Sequence, residues 1–578
     1  MPKDSSHTSS RKRNAPLLKS FFSADSALSK RHELRIILVI FFALTCIILY
    51  RLAMLQIVQH AEYAEAAKEY RLLVSEVPAK RGTIYDRNGK VLASSIDATT
   101  IYANPMEVEE PMALADALSK ALGGEIKTYL EKLTSETTFV FIQRQADVDV
   151  AENLRNQDLK GLHFLEDTKR VYPYGKIAGQ IVGFVDVDNQ GVSGLEYYYD
   201  NILAGTPGKR RLEVSADASI PIPDSTREYE NAIDGEDIVI SIDIEMQAYS
   251  EAQLTSYTKK IGGADGSIII MDASNGEIYA ACSLPLFDPE NPSESENDAT
   301  VCKGITQAFE PGSVMKTASM LSIMQTHEAT PDTVIACPAK LAVDEYIISD
   351  AWERGDASMD LRTILARSSN VGISRATNTY VGKQGLYENL INFGFSSRTG
   401  VDYPGETAGF LSDYQDWSQT QFYNISFGQG IQVSPLQLVH FYGMLRNDGV
   451  AVKPHFLINK PQTDEDVKPK LTKVVTDKEA LNDTINMLES VVTDGTGAQA
   501  AIDGITVAGK TGTGEYADPN GKGYVEGIWN LDFVGFLPHS NSSLVGYVGV
   551  TKVYGENSVA PLFGDVMGFA ADRYRVDE

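Results

Sequence analysis

One run of residues decides where this chain can reside before any fold is considered. Residues Ile36 to Tyr50 read IILVIFFALTCIILY with no charged break, and after Arg51 the apolar pattern resumes as LAMLQIV to Val58. A helix that is apolar on every side has no face to turn toward water, so a membrane span suits it better than a soluble surface. Fifteen residues span poorly, because a bilayer core takes ~20. Continuing to Val58 supplies the length, with Arg51 snorkelling to the outer interface. Lys30, Arg31 and Arg35 flank the N-terminal side, which by the positive-inside rule keeps that tail cytoplasmic and exports the rest. The rival reading is a cleaved signal peptide with Ala64-Glu65-Ala66 as its cleavage site, but the leader is long for that and the apolar run stops well short of the site. The expectation is a single-pass protein of the plasma membrane, with a disordered cytoplasmic tail (1–35), an anchor (36–58) and everything after about residue 59 outside.

At 578 residues, 43% hydrophobic and 22% charged, the chain has material for two to four domains with sizeable cores. The formal net charge of -27 is unevenly spread, since residues 1–35 carry eight Lys or Arg against three Asp or Glu. The exported part is therefore strongly acidic, which excludes nucleic acid as a partner. Four cysteines rule out a disulfide-built scaffold, and no pair has metal-ligand spacing, so no metal or cofactor is expected. Cys282, Cys302 and Cys337 would be exported. At most one pair can join, and Cys282–Cys302 would close a loop rich in Asn, Asp, Ser and Pro.

Two units follow the anchor. In 59–235, Arg81 to Gly89 carries an Asn-Gly turn that predicts a hairpin, Ala113 to Leu122 and Glu125 to Leu133 read as helices, and the glycine-rich stretch from Tyr172 to Gly208 reads as loops and strands. In 236–578, a strand at Ile238 to Ile242 precedes a helix capped by Asp243, and Ser267 to Cys282 reads as strand, turn, strand. A mainly helical stretch runs from Val314 to about Arg446. Strands return at Ile505 to Thr513, Leu531 to Leu537 and Leu544 to Lys552, before a helix from Pro561. Strands at both ends of a helical middle predict an α+β domain, an antiparallel sheet covered by helices.

Three short motifs in this second unit carry chemistry. Ser313-Val314-Met315-Lys316 follows Pro311-Gly312, so Ser313 stands at a helix start. Positions i and i+3 share a helix face, which puts the Lys316 amine beside the Ser313 hydroxyl. A desolvated neutral lysine can take the serine proton. Ser368-Ser369-Asn370 lies between helical runs and would alone be a simple helix cap. Lys510-Thr511-Gly512-Thr513 ends the expected strand from Ile505 and offers a rail of one amine and two hydroxyls, with glycine for close backbone approach. Each motif is common by itself. Ser-x-x-Lys, Ser-x-Asn and Lys-Thr-Gly in this order within one domain are the set of the penicillin-binding proteins and class A β-lactamases.

The chain resembles a class B penicillin-binding protein from its anchor to its C-terminal helix. Arg81-Gly-Thr-Ile-Tyr-Asp-Arg-Asn-Gly89, Tyr172-Pro-Tyr-Gly175 and Gly191-Val-Ser-Gly-Leu-Glu196 are similar to motifs of that family's N-terminal pedestal (dimerisation and partner) domain. Phe309 to Lys316, Ser426-Phe-Gly-Gln-Gly430 and Ala508 to Thr513 are close to its transpeptidase forms, and Ser368-Ser-Asn-Val-Gly372 is more like the cell-division branch. The resemblance implies an elongated pedestal at 59–235, a transpeptidase domain at 236–578 and peptidoglycan D,D-transpeptidase activity. It implies Ser313 as acyl nucleophile, Lys316 as general base, Ser368 as proton relay and Asn370 as orienter. Lys510, Thr511, Gly512 and Thr513 would form the carboxylate-binding rail, with the N–H groups of Ser313 and Thr513 as oxyanion hole. Implied partners are D-Ala-D-Ala stem peptides, β-lactams, a polytopic SEDS-family glycosyltransferase and other division proteins. A D,D-carboxypeptidase, a β-lactamase with Glu388 as water activator, and a catalytically idle β-lactam sensor or division scaffold stay open as alternatives.

Overall fold

The computed structural model describes residues 24–60, 63, 72–214, 221–296, 298–463, 465–517, 521 and 523–577. The Ala64-Glu65-Ala66 site lies outside them. The chain forms two compact units, one of Met1–Ser75 with Lys209–Glu230, the other of Glu76–Gly208 with Asn231–Glu578.

In the first unit a helix runs from Ala24 to Ala53 and continues as a short π-helical segment, Met54–Val58. Its stretch Leu34–Val58 is long and apolar enough to cross a membrane and is not buried against the rest of the chain. The helix begins eleven residues before the expected disordered tail ends at residue 35. Ala24 to Arg35 contain no Gly or Pro to stop it, so the anchor's helix propagates backward through them. Three strands, Leu72–Val77, Gly208–Val214 and Pro221–Glu230, form this unit's sheet.

In the second unit, the Asn88-Gly89 turn joins Ile84–Tyr85 to Val91–Ala103 as expected, and the latter strand pairs with both Val140–Ala146 and Leu162–Val171. Ile84 also pairs in parallel with Ile238 of Ile238–Ile240, which continues to Leu457–Lys460. One sheet thus runs from the N-terminal segments into the C-terminal ones. At its base Glu196, fully buried, takes Arg81 Nε at 2.5 Å and Arg170 Nε at 2.7 Å. A glutamate between two buried guanidiniums explains why Gly191 to Glu196 and Arg81 belong to one structural feature despite their separation. The glycine-rich stretch differs from expectation. It contains the short helices Gly179–Val182, Gly194–Tyr198 and Asp200–Leu203. Helices of four or five residues show no apolar period to read.

The catalytic-type half is built as a layered domain. Asp243 accepts from the N–H groups of Glu245 and Met246 and starts α1 (Ile244–Lys260). Then come β1 (Asp265–Asp272), β2 (Ile278–Ser283), α2 (Lys316–Met324), α3 (Leu361–Ala366), α4 (Asn370–Tyr380), α5 (Gly382–Asn392), α6 (Pro435–Arg446), α7 (Lys478–Thr493), β3 (Ala508–Ala517), β4 (Tyr524–Phe536), β5 (Leu544–Tyr554) and α8 (Ala560–Tyr574). The five strands form one antiparallel sheet in the order β2-β1-β5-β4-β3. Alternation sets its two faces. Ile269, Met271, Val545 and Tyr547 join the core with α2 and α6, while Ile268, Ile270, Val548 and Val550 join the core with α1 and α8. Each fully buried side chain of this kind contributes about 1.5–3 kcal/mol.

Two expectations need correction here. The stretch from Val314 to Arg446 is not uniformly helical, because four short strands, Val334–Cys337, Lys340–Val343, Tyr346–Ser349 and Ala357–Asp360, form two small antiparallel pairs within it. The strand expected from Ile505 to Thr513 begins at Ala508 and runs on to Ala517, so the Lys-Thr-Gly motif opens it rather than ends it. Cys282, Cys302 and Cys337 are all buried free thiols, and burial pushes that of Cys302 up to about 12.

Candidate active site

Ser313 sits in a short 3-10 turn, Gly312–Met315, that runs straight into α2. Gly312 is needed for this turn. Its φ is +57°, and a side chain there would meet the Thr513 carbonyl on one side. Its N–H donates to the Gly428 carbonyl at 3.0 Å, so the Ser426 to Gly430 loop braces the turn from below. Ser319 Oγ, one turn into α2, donates to the Ser426 carbonyl at 2.7 Å. Ser313 stays half-exposed while its neighbours Val314, Met315 and Lys316 are buried.

Lys316, with no exposed surface, places its amine 2.9 Å from Ser313 Oγ, 2.6 Å from the Ser368 carbonyl, 3.0 Å from Ser368 Oγ and 2.7 Å from Asn370 Oδ1. The Ser368 carbonyl and Asn370 Oδ1 can only accept. A neutral amine satisfies both with its two N–H bonds and leaves its lone pair for the Ser313 hydroxyl, which is the arrangement a general base requires. Burial pushes the Lys316 amine well below the usual lysine range, and the nearby Lys510 adds to this while Asp350 opposes it.

The second motif is held by residues that its own sequence does not reveal. Ser368 adopts φ +59°, a left-handed conformation that a serine enters at a cost of about 1–3 kcal/mol. Ser369 caps α4 through the Gly372 N–H at 2.9 Å, so a helix cap and the contacts of Ser368 and Asn370 with Lys316 coexist in one tripeptide. Asp350 receives Ser369 Oγ at 2.8 Å, the Val371 N–H at 3.0 Å and Arg354 Nε at 2.7 Å. Asn370 Nδ2 donates to the Ser349 carbonyl at 3.1 Å, which turns its Oδ1 toward Lys316. Ser349 ends the small hairpin that sequence reading missed, and Asp350 follows it. Only a search for an acid able to cap α4 from outside could have found Asp350.

The third motif meets the other two from the sheet edge. The Lys510 amine, also fully buried, donates to Ser368 Oγ at 3.1 Å and to the Thr511 carbonyl at 3.0 Å. Burial brings its pKa down to about 7, against the pull of Asp532. Thr511 Oγ1 shares a 2.7 Å hydrogen bond with Thr496 Oγ1. Thr513 is exposed, and its backbone adjoins Gly312. The eight residues singled out from sequence, Ser313, Lys316, Ser368, Asn370, Lys510, Thr511, Gly512 and Thr513, are therefore brought together in one place, through the Lys316 and Lys510 amines and the approach of Thr513 to Gly312. Glu388 does not. It is exposed on α5 and accepts from Gln384 one turn earlier at 2.8 Å. Among the described residues no cluster of metal-ligating side chains occurs.

Residues 266–568 match the family model of the penicillin binding protein transpeptidase domain, and residues 76–240 that of the penicillin-binding protein dimerisation domain. The chain is 30% identical to a probable peptidoglycan D,D-transpeptidase PenA of Neisseria meningitidis, over 85% of this chain and 84% of that protein. It is 28% identical to the peptidoglycan D,D-transpeptidase FtsI of Escherichia coli, over 91% and 90% respectively. Among solved structures, penicillin binding protein 3 of Mycobacterium tuberculosis in complex with aztreonam aligns with a TM-score of 0.67 and 26% identity, over 87% of this chain and 97% of that one.

Proposed function

The chain belongs to the class B penicillin-binding proteins, and from that premise we propose that Ser313 is the acyl-forming nucleophile of a peptidoglycan D,D-transpeptidase acting in septal wall synthesis. The observation that carries the assignment is the convergence of all three motifs on Ser368 Oγ, which lies 3.0 Å from Lys316 Nζ and 3.1 Å from Lys510 Nζ, while Lys316 Nζ lies 2.9 Å from Ser313 Oγ and 2.7 Å from Asn370 Oδ1.

The reaction follows from these positions. The terminal carboxylate of a D-Ala-D-Ala stem peptide lies along β3, held by Lys510, Thr511 and Thr513, and Gly512 lets it approach the backbone. Lys316 takes the Ser313 proton as Oγ attacks the penultimate carbonyl. The resulting oxyanion is held by the N–H groups of Ser313 and Thr513, each such donor worth roughly 10²–10³ in rate. Collapse breaks the peptide bond, and the proton passes from Lys316 through Ser368 Oγ to the departing D-alanine nitrogen. A stem-peptide amine then attacks the acyl-serine ester, gives its proton back along the same path and frees Ser313. β-Lactams enter the same site and acylate the same oxygen.

The segments fit this role as a cytoplasmic tail (1–35), an anchor (36–58), a pedestal (59–235) and a transpeptidase domain (236–578), with the catalytic half outside the membrane. A SEDS-family glycosyltransferase and other division proteins are the partners this organisation suits. Glu388's place on the outside of α5 speaks against a β-lactamase. Labelling the full chain with a fluorescent penicillin tests the assignment. Ser313→Ala should abolish the covalent label without loss of fold, and a label of full strength on that variant would place the nucleophile elsewhere.

A further inference from the structure

Behind the Lys-Thr-Gly strand lies a carboxyl group that the mechanism above does not use. Asp532 on β4 is 2% exposed, and neither of its oxygens has a hydrogen-bond partner among the described residues. It pairs across the sheet with Gly512 on one side and Gly549 on the other. A side chain at 512 would come within 1.5 Å of Asp532 Oδ1, so the carboxyl occupies the space that this glycine leaves open. Lys510 lies two residues from Gly512 on the same strand face, at the diagonal position to Asp532, where long side chains reach one another.

A buried carboxyl without hydrogen bonds is costly, and burial pushes that of Asp532 well up toward its neutral form, while the charge of Lys510 pulls the other way, so the carboxylate form goes together with a protonated Lys510. The groups facing this space from the other elements are Tyr547 on β5 and Tyr442 on α6, both raised far beyond neutral pH by burial and therefore uncharged phenols. On the far side of Lys510 stand Lys316 on α2 and Asp350, and Asp350 is already engaged by Ser369, Val371 and Arg354. Both lysine amines contact Ser368 Oγ, at 3.0 and 3.1 Å. Two ammonium groups so close repel, so one positive charge is shared by the pair and something must decide which amine keeps it.

We propose that Asp532 is a positioning residue whose buried carboxylate is the counter-charge that keeps this shared positive charge on Lys510, leaving Lys316 as the free base. Lys510 is then ready for a substrate carboxylate while the amine beside Ser313 can accept a proton. The device rests on the assignment of Ser313 and Lys316 above. It acts through Lys510 and touches neither substrate nor nucleophile.

The test is the pH profile of penicillin acylation of the full chain in detergent, for wild type, Asp532→Asn and Asp532→Ser. Without the carboxylate Lys510 loses its proton at lower pH, so the alkaline limb moves down. A neutral Lys510 no longer depresses Lys316, so the acid limb moves up. The bell narrows from both sides, and at a fixed alkaline pH acylation slows about tenfold for every pH unit by which the alkaline limb has moved. Thermal melting should be unchanged or raised, because no hydrogen bond is lost. Limbs that stay in place, with or without a uniform loss of rate, would overturn the proposal, as would the failure of both variants to fold, which would make Asp532 structural. Absence of any adduct on the wild-type chain would instead strike the assignment of Ser313.

Discussion

Replacing Asn370 by aspartate changes the active site by one charge and almost no volume. Asn370 Oδ1 lies 2.7 Å from the Lys316 amine, and its Nδ2 holds it there through the Ser349 carbonyl. A carboxylate in that place would favour the ammonium form of Lys316. With charge centres about 4 Å apart and an effective dielectric of about 20, the attraction is about 4 kcal/mol. At about 1.4 kcal/mol per factor of ten, this favours the ammonium over the amine by about 10³, and burial of the new carboxylate reduces the factor to about 10². The sign is definite. Lys316 is held well below the usual lysine range in the native protein, and the proposed mechanism uses it as a neutral base, so raising its pKa lowers the reactive fraction at neutral pH. Acylation of Asn370→Asp by a penicillin at pH 7 should fall by up to about 10², then recover by as much as tenfold per pH unit as the medium is made alkaline. Stopped-flow acylation across the pH range, alongside Asn370→Ala, measures this. A loss that is flat with pH, or no loss at all, would refute the view that Lys316 works as a neutral base oriented by Asn370.

Three further outcomes follow from the same geometry. Lys510→Ala should slow acylation by carboxylate-bearing β-lactams more than by their esters, the difference being the lost charge-assisted contact of about 1.5–3 kcal/mol, and equal losses for both would give Lys510 a different task. Glu196→Gln should destabilise the chain by about 3–5 kcal/mol in urea melts, because Arg81 and Arg170 are left buried with their shared carboxylate gone, and an unchanged midpoint would mean that the cluster is not a structural pin. Protease added to intact spheroplasts should remove the part after about residue 59 and spare a tag on Met1, whereas loss of the tag would reverse the topology.

What sequence made legible was set by local spacing. Ser313 and Lys316 stand one helical turn apart, so their meeting follows from helix geometry, and the helices flanking Ser368 to Asn370 were visible as Leu361 to Ala366 and Gly372 to Tyr380, the second of which starts two residues earlier, at Asn370. The five-stranded sheet was visible because β1 and β5 bury both faces and are apolar through most of their length. The supporting groups were not. Asp350 reaches Ser369 across 19 positions, Thr496 reaches Thr511 across 15, and Asp532 meets Gly512 only through strand register. Nothing in a polar residue's own neighbourhood tells which distant backbone it will cap. The strands between Val334 and Asp360 escaped notice because each has only four residues, too few for an alternating pattern to stand out from the helical sequence around them.

The central claim is that an acyl group formed on Ser313 waits for an amine rather than for water. Mass spectrometry of the full chain, with penicillin in one arm and a D-Ala-D-Ala thioester with an amine acceptor in the other, measures this directly. A penicilloyl adduct of one per chain should map to the peptide carrying Ser313 and outlast many turnovers of the thioester, whose acyl group should appear on the acceptor. General-base help to water is worth ~10²–10⁴, and Glu388, exposed on α5, does not offer it, so Glu388→Gln should leave the adduct's lifetime unchanged. Rapid return of free enzyme with repeated penicillin turnover, abolished by Glu388→Gln, would contradict the transpeptidase account and make the protein a β-lactamase.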